Sequence, residues 1–563
     1  MGYYQSRLLY RWIAVLWGIC TLLSTTGSVQ AAHIPPGVQL AAQQHLVINN
    51  GAKVQSLDPH KSIGMPEGNI TRNLLEGLVN FDINGKMVPG VAQRWQASAD
   101  YRQWTFYLRA NAKWSNGDPV TAGDFVYSWQ RLANPATKAP NANYLTDMRL
   151  LNGEAVIQGQ QPPSALGVYA IDDHTLQLKL AQPIPFLVEM LADSSLYPLH
   201  PPTVEQYGNG VDDNKWYAVP HFVGNGAYRL QEWVVNEKIV LTRSASYWDN
   251  ANTVIERVTF LPITDEVTSV RRYRAGEIDI SHYLLPTENY LTLQQTHPQE
   301  LRHFPSLMVR GYCFNTQRPP FNDVRVRQAL ALTIERENLV NRFLVQGEWA
   351  AYLLNPQNVE NFTGVLPTWV AWPVEKRLAV ARKLLKEAGY DKNRPLRFRL
   401  LYNRSEFHEQ LAMAVSSIWK QKLGVEVTLD RQEWEVFLAS CRTGEYQAAR
   451  FGYRAVYNHP AALLNLLRAN SSFNDCFYKS SAFDNWLDRA LQGTTQNERS
   501  RCYQRAELVL AADVPITPVY YESLSRLVKL YVGGLSDGNP MAVVYIKDLY
   551  LTKHLQAPSR YQQ

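Results

Sequence analysis

The chain has 563 residues, 46% of them hydrophobic and 19% charged, with a formal charge of +6 at neutral pH. That length exceeds one ordinary hydrophobic core and predicts two or three lobes, while the composition excludes a disordered chain. No block of lysine and arginine would track a phosphate backbone, so nucleic acid is excluded as a partner.

The chain opens with MGYYQSRLLYR, which places Arg7 and Arg11 before the apolar run WIAVLWGICTLL, and STTGSVQAA follows. A positive segment, a short apolar stretch and small residues before a break predict a signal peptide cleaved after Ala31. The run is short for a membrane span, so the expected product is exported and soluble. Of the cysteines, Cys313, Cys441, Cys476 and Cys502 lie beyond that point. Export permits disulfides, but the spacing leaves the pairing open and gives no zinc signature.

Next, QHLVINNGAKVQSLDPHKS predicts a short strand and a turn at Asp58-Pro59, then a helix ending near Gly77. WTFYLR alternates with a period of two and predicts a strand. After the Asn116-Gly117 turn, Thr121 and Asp124 predict a helix N-cap with an acidic residue at N3. HTLQLKL is a further strand. Residues 228–233 and 238–243 form a two-strand element bent at Asn236-Glu237. Pro319 and Pro320 precede a long helical pattern with two subsegments. PVEKRLAVARKLLKEAGY is an amphipathic helix from Pro373 to a Gly389 stop, with Leu378, Ala381, Leu384, Leu385 and Ala388 on its apolar face.

The sequence LRFRLLYN, a helix over 408–422 and VEVTLDRQEW then read as a βαβ unit, which implies a parallel sheet. The stretch ARFGYRAVYN predicts a strand running into a loop, where α/β proteins place ligand contacts. It carries Arg450 and Arg454 among apolar residues, and a buried arginine needs a partner. No Walker loop, G-x-G-x-x-G before a helix, H-E-x-x-H or G-x-S-x-G motif is present. Nothing forms a catalytic constellation.

Several long blocks occur in order: LLEGLVNFDINGKMVPGVAQRW, WTFYLRANAKWSNGDPVTAGDFVYSWQRL, NGAYRLQEWVVNEKIVLTRSASYWDNA, RYRAGEIDI, PPFNDVRVRQAL and PVYYESLSRLVKLYVGG. By these blocks the chain resembles, over its full length, the extracytoplasmic solute-binding proteins of ABC importers in the peptide/nickel class. Within that class it is similar to the periplasmic oligopeptide-binding proteins of Gram-negative bacteria. The resemblance implies an α/β, class II periplasmic binding protein fold with three lobes and a ligand cleft between lobes I and III. It assigns 32–75, 201–307 and 524–563 to lobe I, 76–200 to lobe II and 308–523 to lobe III, after the signal peptide at 1–31. It further implies a monomer that closes on a small solute and delivers it to an inner-membrane ABC permease, with no catalysis, cofactor or metal.

Carried over residue by residue, His408 and Arg450 match basic positions of the peptide binders' pocket, and Trp434 and Tyr453 match aromatic ones. Gly452 matches a small residue where backbone approaches ligand. The other readings are core packing for Trp434 and an internal salt bridge for Arg450. The departures are larger. An acidic residue that pairs with a ligand's α-ammonium is Val456 here. A pocket tyrosine is Asn141, an acidic residue is Ile63, a lysine is Leu344 and an arginine is Cys441. A disulfide typical of the relatives falls on Met308 and Arg454 and is absent. Losing the ammonium's counter-charge favours an anionic or N-blocked peptide-like solute, with Glu522 or the Asp147 region the first places to look for a substitute acid. Ordinary free oligopeptides are the alternative ligand. A cell-wall peptide hydrolase and a periplasmic chaperone or sensor partner are the alternative functions.

Overall fold

The computed structural model describes residues 32–553 apart from 63, 209–214, 284 and 472, so the expected signal peptide and Ile63 lie outside the described residues. Three main sheets organise the chain. The first contains β1 (His45–Asn49), which is followed by α1 (Met65–Leu74). The second sheet interrupts it in sequence. β2 (Ala92–Ala97) and β3 (Gln103–Leu108) lead into α2 (Ala122–Ala133), followed by β4 (Val168–Asp172) and β5 (Thr175–Lys179). These pair antiparallel in the order β2-β3-β5-β4. The alternation in WTFYLR buries Trp104, Phe106 and Leu108 against Phe125 and Trp129 of α2. Thr121 and Asp124 form the expected capping box, Asp124 Oδ2 accepting from the Thr121 N–H at 2.8 Å.

The first sheet resumes with β6 (Tyr228–Val234), β7 (Lys238–Arg243) and β8 (Arg257–Leu261), in the order β1-β8-β7-β6. Asn236 turns the hairpin at φ +65°, a left-handed conformation that asparagine tolerates.

The third sheet is the largest. Its elements are β9 (Leu301–Phe314), α3 (Val324–Thr333), α4 (Arg336–Phe343), β10 (Trp349–Ala350), α5 (Val374–Glu387) and β11 (Arg397–Asn403). Then come α6 (Glu406–Leu423), β12 (Glu426–Gln432), α7 (Trp434–Thr443), β13 (Ala448–Arg454), α8 (Gln496–Asp513) and β14 (Ile516–Leu527). The strand order is β10-β14-β9-β13-β11-β12. β11 pairs parallel with both β12 and β13, as the βαβ reading requires, whereas β9 runs antiparallel to β13 and β14. Its core collects Tyr312, Phe314, Phe321, Phe398 and Trp419.

The first sheet meets the third at the far end of the β9–β14 pair. β9 and β14 pair along both halves of their length, with the register broken between Pro305 and Val309. Ile280 bridges Ile48 of β1 on one side and Val528, just past β14, on the other. The second sheet's layer meets the third where Phe186 stacks on His459, ring centroids 4.1 Å apart.

One disulfide joins Cys313 of β9 to Cys476, while Cys441 and Cys502 are free thiols. Met308 and Arg454 stand directly opposite each other across β9 and β13. The positions the resemblance assigned to a disulfide are therefore cross-strand neighbours, occupied here by side chains that cannot form one.

Candidate functional site

The parallel strands β11, β12 and β13 end on the same edge of the third sheet, at Asn403, Gln432 and Arg454. Open α/β sheets bind ligands beyond such carboxyl ends. α6 and α7 begin on that edge, immediately after β11 and β12, so their N-terminal N–H groups add positive potential there. The 3.6-residue period of α6 then fixes His408 in its first turn, its backbone N–H donating to Ser405 Oγ.

Side chains two and four residues apart share one face of a strand. Arg450, Gly452 and Arg454 therefore stand in a row along β13, and the register sets Tyr312, Arg310 and Met308 of β9 beside them. The two terminal arginines are about 13 Å apart along the strand. Gly452 has a steric reason. A Cβ there would sit 2.9 Å from Arg310 Nη1, so the missing side chain lets the Arg310 guanidinium lie across β13.

Arg450 Nε donates to Asn403 Oδ1 at 2.6 Å, and its guanidinium lies 5.3 Å from the Trp434 ring and 4.9 Å from the Phe437 ring. No carboxylate pairs with it among the described residues, so the internal salt bridge does not form. Burial, then repulsion from Arg310, lower its pKa to about 10. Burial and the two arginines hold His408 at about 3, a neutral ring at any ordinary pH. Trp434 stacks on Phe437 but is 51% exposed, which rules out the core reading.

Three of the acids on this side of the sheet are ion-paired. Glu522 is ion-paired with Arg310, Glu433 with Arg404 and Glu409 with Arg431. Glu522, expected as a substitute acid for an ammonium, is thus committed to a guanidinium because β9 and β14 are neighbours in the sheet. At the end of the row, Arg454 donates to the Met65 thioether at 2.9 Å and to the Met541 carbonyl at 3.3 Å. Neither partner carries charge. Val456 follows, 55% exposed.

Tyr453 departs from its expectation. Alternation along β13 turns it to the face opposite Arg450 and Arg454, where its ring packs on Phe451 and its hydroxyl donates to the Phe473 carbonyl at 3.4 Å. Asn141 donates to the Ser62 carbonyl at 3.2 Å. Cys441 is buried, with its thiol pushed up to about 12, so it brings no charge. The sequence does not single out Asn403. Asn403 ends a predicted strand, but only the β11–β13 register shows that it faces Arg450.

The fold agrees with comparisons to known proteins. Residues 86–475 match the family model described as bacterial extracellular solute-binding proteins, family 5. The chain belongs to that family. This solute-binding protein is 47% identical to the periplasmic oligopeptide-binding protein OppA of Salmonella typhimurium, over 95% of this chain and 98% of the relative. Among solved structures, it superposes on the murein tripeptide-binding protein MppA in its unliganded open form with a TM-score of 0.83, at 41% identity, covering 92% of this chain and 99% of that one. The Haemophilus influenzae OppA complex with the peptide RPPGFSPFR gives 0.75 at 40% identity, covering 92% and 100%. Among the described residues, no group of three or more histidine, cysteine or acidic side chains is placed to hold a metal, and no helix is long and apolar enough to cross a membrane.

Proposed function

We propose that this protein captures a peptide-like solute through its carboxylate, with no requirement for a free α-ammonium, in the periplasm of a Gram-negative bacterium, and delivers it to an inner-membrane ABC permease. The relatives named above are peptide binders. One observation carries the ligand class: Arg450 is a half-buried guanidinium with no carboxylate partner among the described residues; the resemblance adds that Val456 replaces an acid that would meet an ammonium. A charge withdrawn from water without a counter-charge is costly, and a ligand carboxylate supplies that counter-charge.

The first sheet belongs to lobe I, the second to lobe II and the third to lobe III, with lobe boundaries as the resemblance implies. β9 and β14 cross from lobe I to lobe III, and the register break between Pro305 and Val309 is where closure bends them. The protein acts as a monomer after removal of the segment ending at Ala31.

Calorimetry of the purified protein with Ala-Ala-Ala and its N-acetyl form tests the ligand class, and scattering with the tighter of the two tests closure. Acetylation is expected to leave affinity unchanged or improved, and the radius of gyration to fall on binding. A hundredfold loss on acetylation would refute the ligand class, since it would require an acid that meets the ammonium.

A further inference from the structure

The far end of the row, at Arg454, repeats the problem posed by Arg450. Arg454 is half-buried, and burial lowers its pKa with a further push from Arg72, against the opposing fields of Tyr283 and Glu522. Its hydrogen-bond partners are a thioether and a carbonyl, and a thioether is a weak acceptor. Across the seam toward the first sheet stands Tyr283, whose hydroxyl donates to the same Met65 sulfur at 3.2 Å. The fields of Arg454 and Arg526 both act on that hydroxyl.

Arg526 is the second observation. Its Nε is buried with no hydrogen-bond partner among the described residues, and the guanidinium lies 5.1 Å from the Phe304 ring. It lines a cavity of about 30 Å³ together with Tyr283, His282, Asn49, Asn69 and Ser281. A buried donor of a charged group left unmade is expensive. Among the described residues, the acid whose field reaches both Tyr283 and Arg454 is Glu522, and it is held by Arg310.

We propose that Arg454, Tyr283 and Arg526 form a second anion-binding subsite at the seam between the first and third sheets, so that the preferred solute carries an anionic group at the end opposite the carboxylate held by Arg450. This rests on the reading of Arg450 above and makes the ligand a dianion. The spacing of the two arginines sets its length. About 13 Å along β13 matches three to four extended residues, so a short acidic or N-acyl-diacid peptide spans the row and a single amino acid does not. A positive ammonium at the Arg454 end meets like charge and is rejected.

The test compares three forms of one peptide by calorimetry: free Ala-Ala-Ala, N-acetyl-Ala-Ala-Ala and N-succinyl-Ala-Ala-Ala, the last adding a carboxylate at the amino end. Wild type is expected to bind the succinyl form about tenfold or more tightly than the acetyl form, which is the ordinary scale for one charge-assisted contact. Arg454→Gln is expected to reduce that ratio to about threefold or less. Arg526→Gln should reduce it in part. Equal binding of succinyl and acetyl forms by wild type overturns the subsite and leaves the Arg450 reading standing. Failure of all three to bind overturns the Arg450 reading, and the subsite with it. The wild-type ratio decides the matter even if a variant does not fold.

Discussion

Replacing Arg450 with methionine should separate stability from function. Lowering an arginine from its ordinary 12.5 to about 10 corresponds to about 3 kcal/mol of penalty on the charged form. Asn403 and the rings of Trp434 and Phe437 return part of it, and residual solvent screens more. Methionine follows the same path over the aromatic rings with no charge to desolvate. Arg450→Met should therefore stabilise the ligand-free protein by about 1–2 kcal/mol, read as a higher urea midpoint at constant slope. The same change removes a charge-assisted contact of about 1.5–3 kcal/mol, so N-acetyl-Ala-Ala-Ala should bind roughly 10- to 150-fold more weakly. Urea unfolding with and without peptide, together with calorimetry, measures both effects. A less stable variant with unchanged affinity would show that Arg450 is a structural residue, and the reasoning from its missing counter-charge would be wrong.

Val456→Asp restores an acid at an exposed position. It should raise affinity for free Ala-Ala-Ala relative to its acetyl form by about tenfold, and an unchanged ratio in calorimetry would place the peptide's amino end elsewhere. Gly452→Ala should push Arg310 off β13 and disturb its contact with Glu522. The expected cost in stability is below about 1 kcal/mol, because the displaced atom ends a flexible side chain, while acetyl-tripeptide affinity falls severalfold. Full retention of affinity would show that the placement of Arg310 is irrelevant to the cleft. Acid should destabilise the protein through buried neutral histidines. His60 and His459 are both held at about 3 by burial, and His459 Nδ1 accepts from the Ala461 N–H, which a protonated ring cannot do. The unfolded chain takes up those protons below about 6.5, so stability falls as pH drops from there, by up to about 1.4 kcal/mol per pH unit for each histidine. Glu507 acts in the opposite sense. Raised to about 7 by burial, it keeps its proton in the folded state and adds stability as pH falls from 7 toward about 4.5. Urea midpoints of His459→Gln between pH 6.5 and 5 should show a slope shallower than wild type by about one proton, and an identical slope would refute the assignment of a neutral buried His459.

Local chemistry fixed many elements in advance. The capping box at Thr121, the Asn236 turn, the Pro373 start and Gly389 stop of α5, and the β11–α6–β12 unit depend on neighbours a few residues away, so the sequence states them directly. The long ordered blocks likewise carried the family. The charge balance of the site was not local. Whether Arg450 meets a carboxylate depends on the parallel register of β11 with β13, which brings up Asn403, an amide with no charge to offer. Whether Glu522 is available depends on β14 lying beside β9, which delivers it to Arg310. Tyr453 lost its expected place to the alternation of a strand whose faces the sequence could not orient. Arg526 and Tyr283 entered the site only because the end of β14 folds back against the first sheet. A sequence lists its charges, but which of them cancel is decided by strand order and register, and those are properties of the assembled sheets.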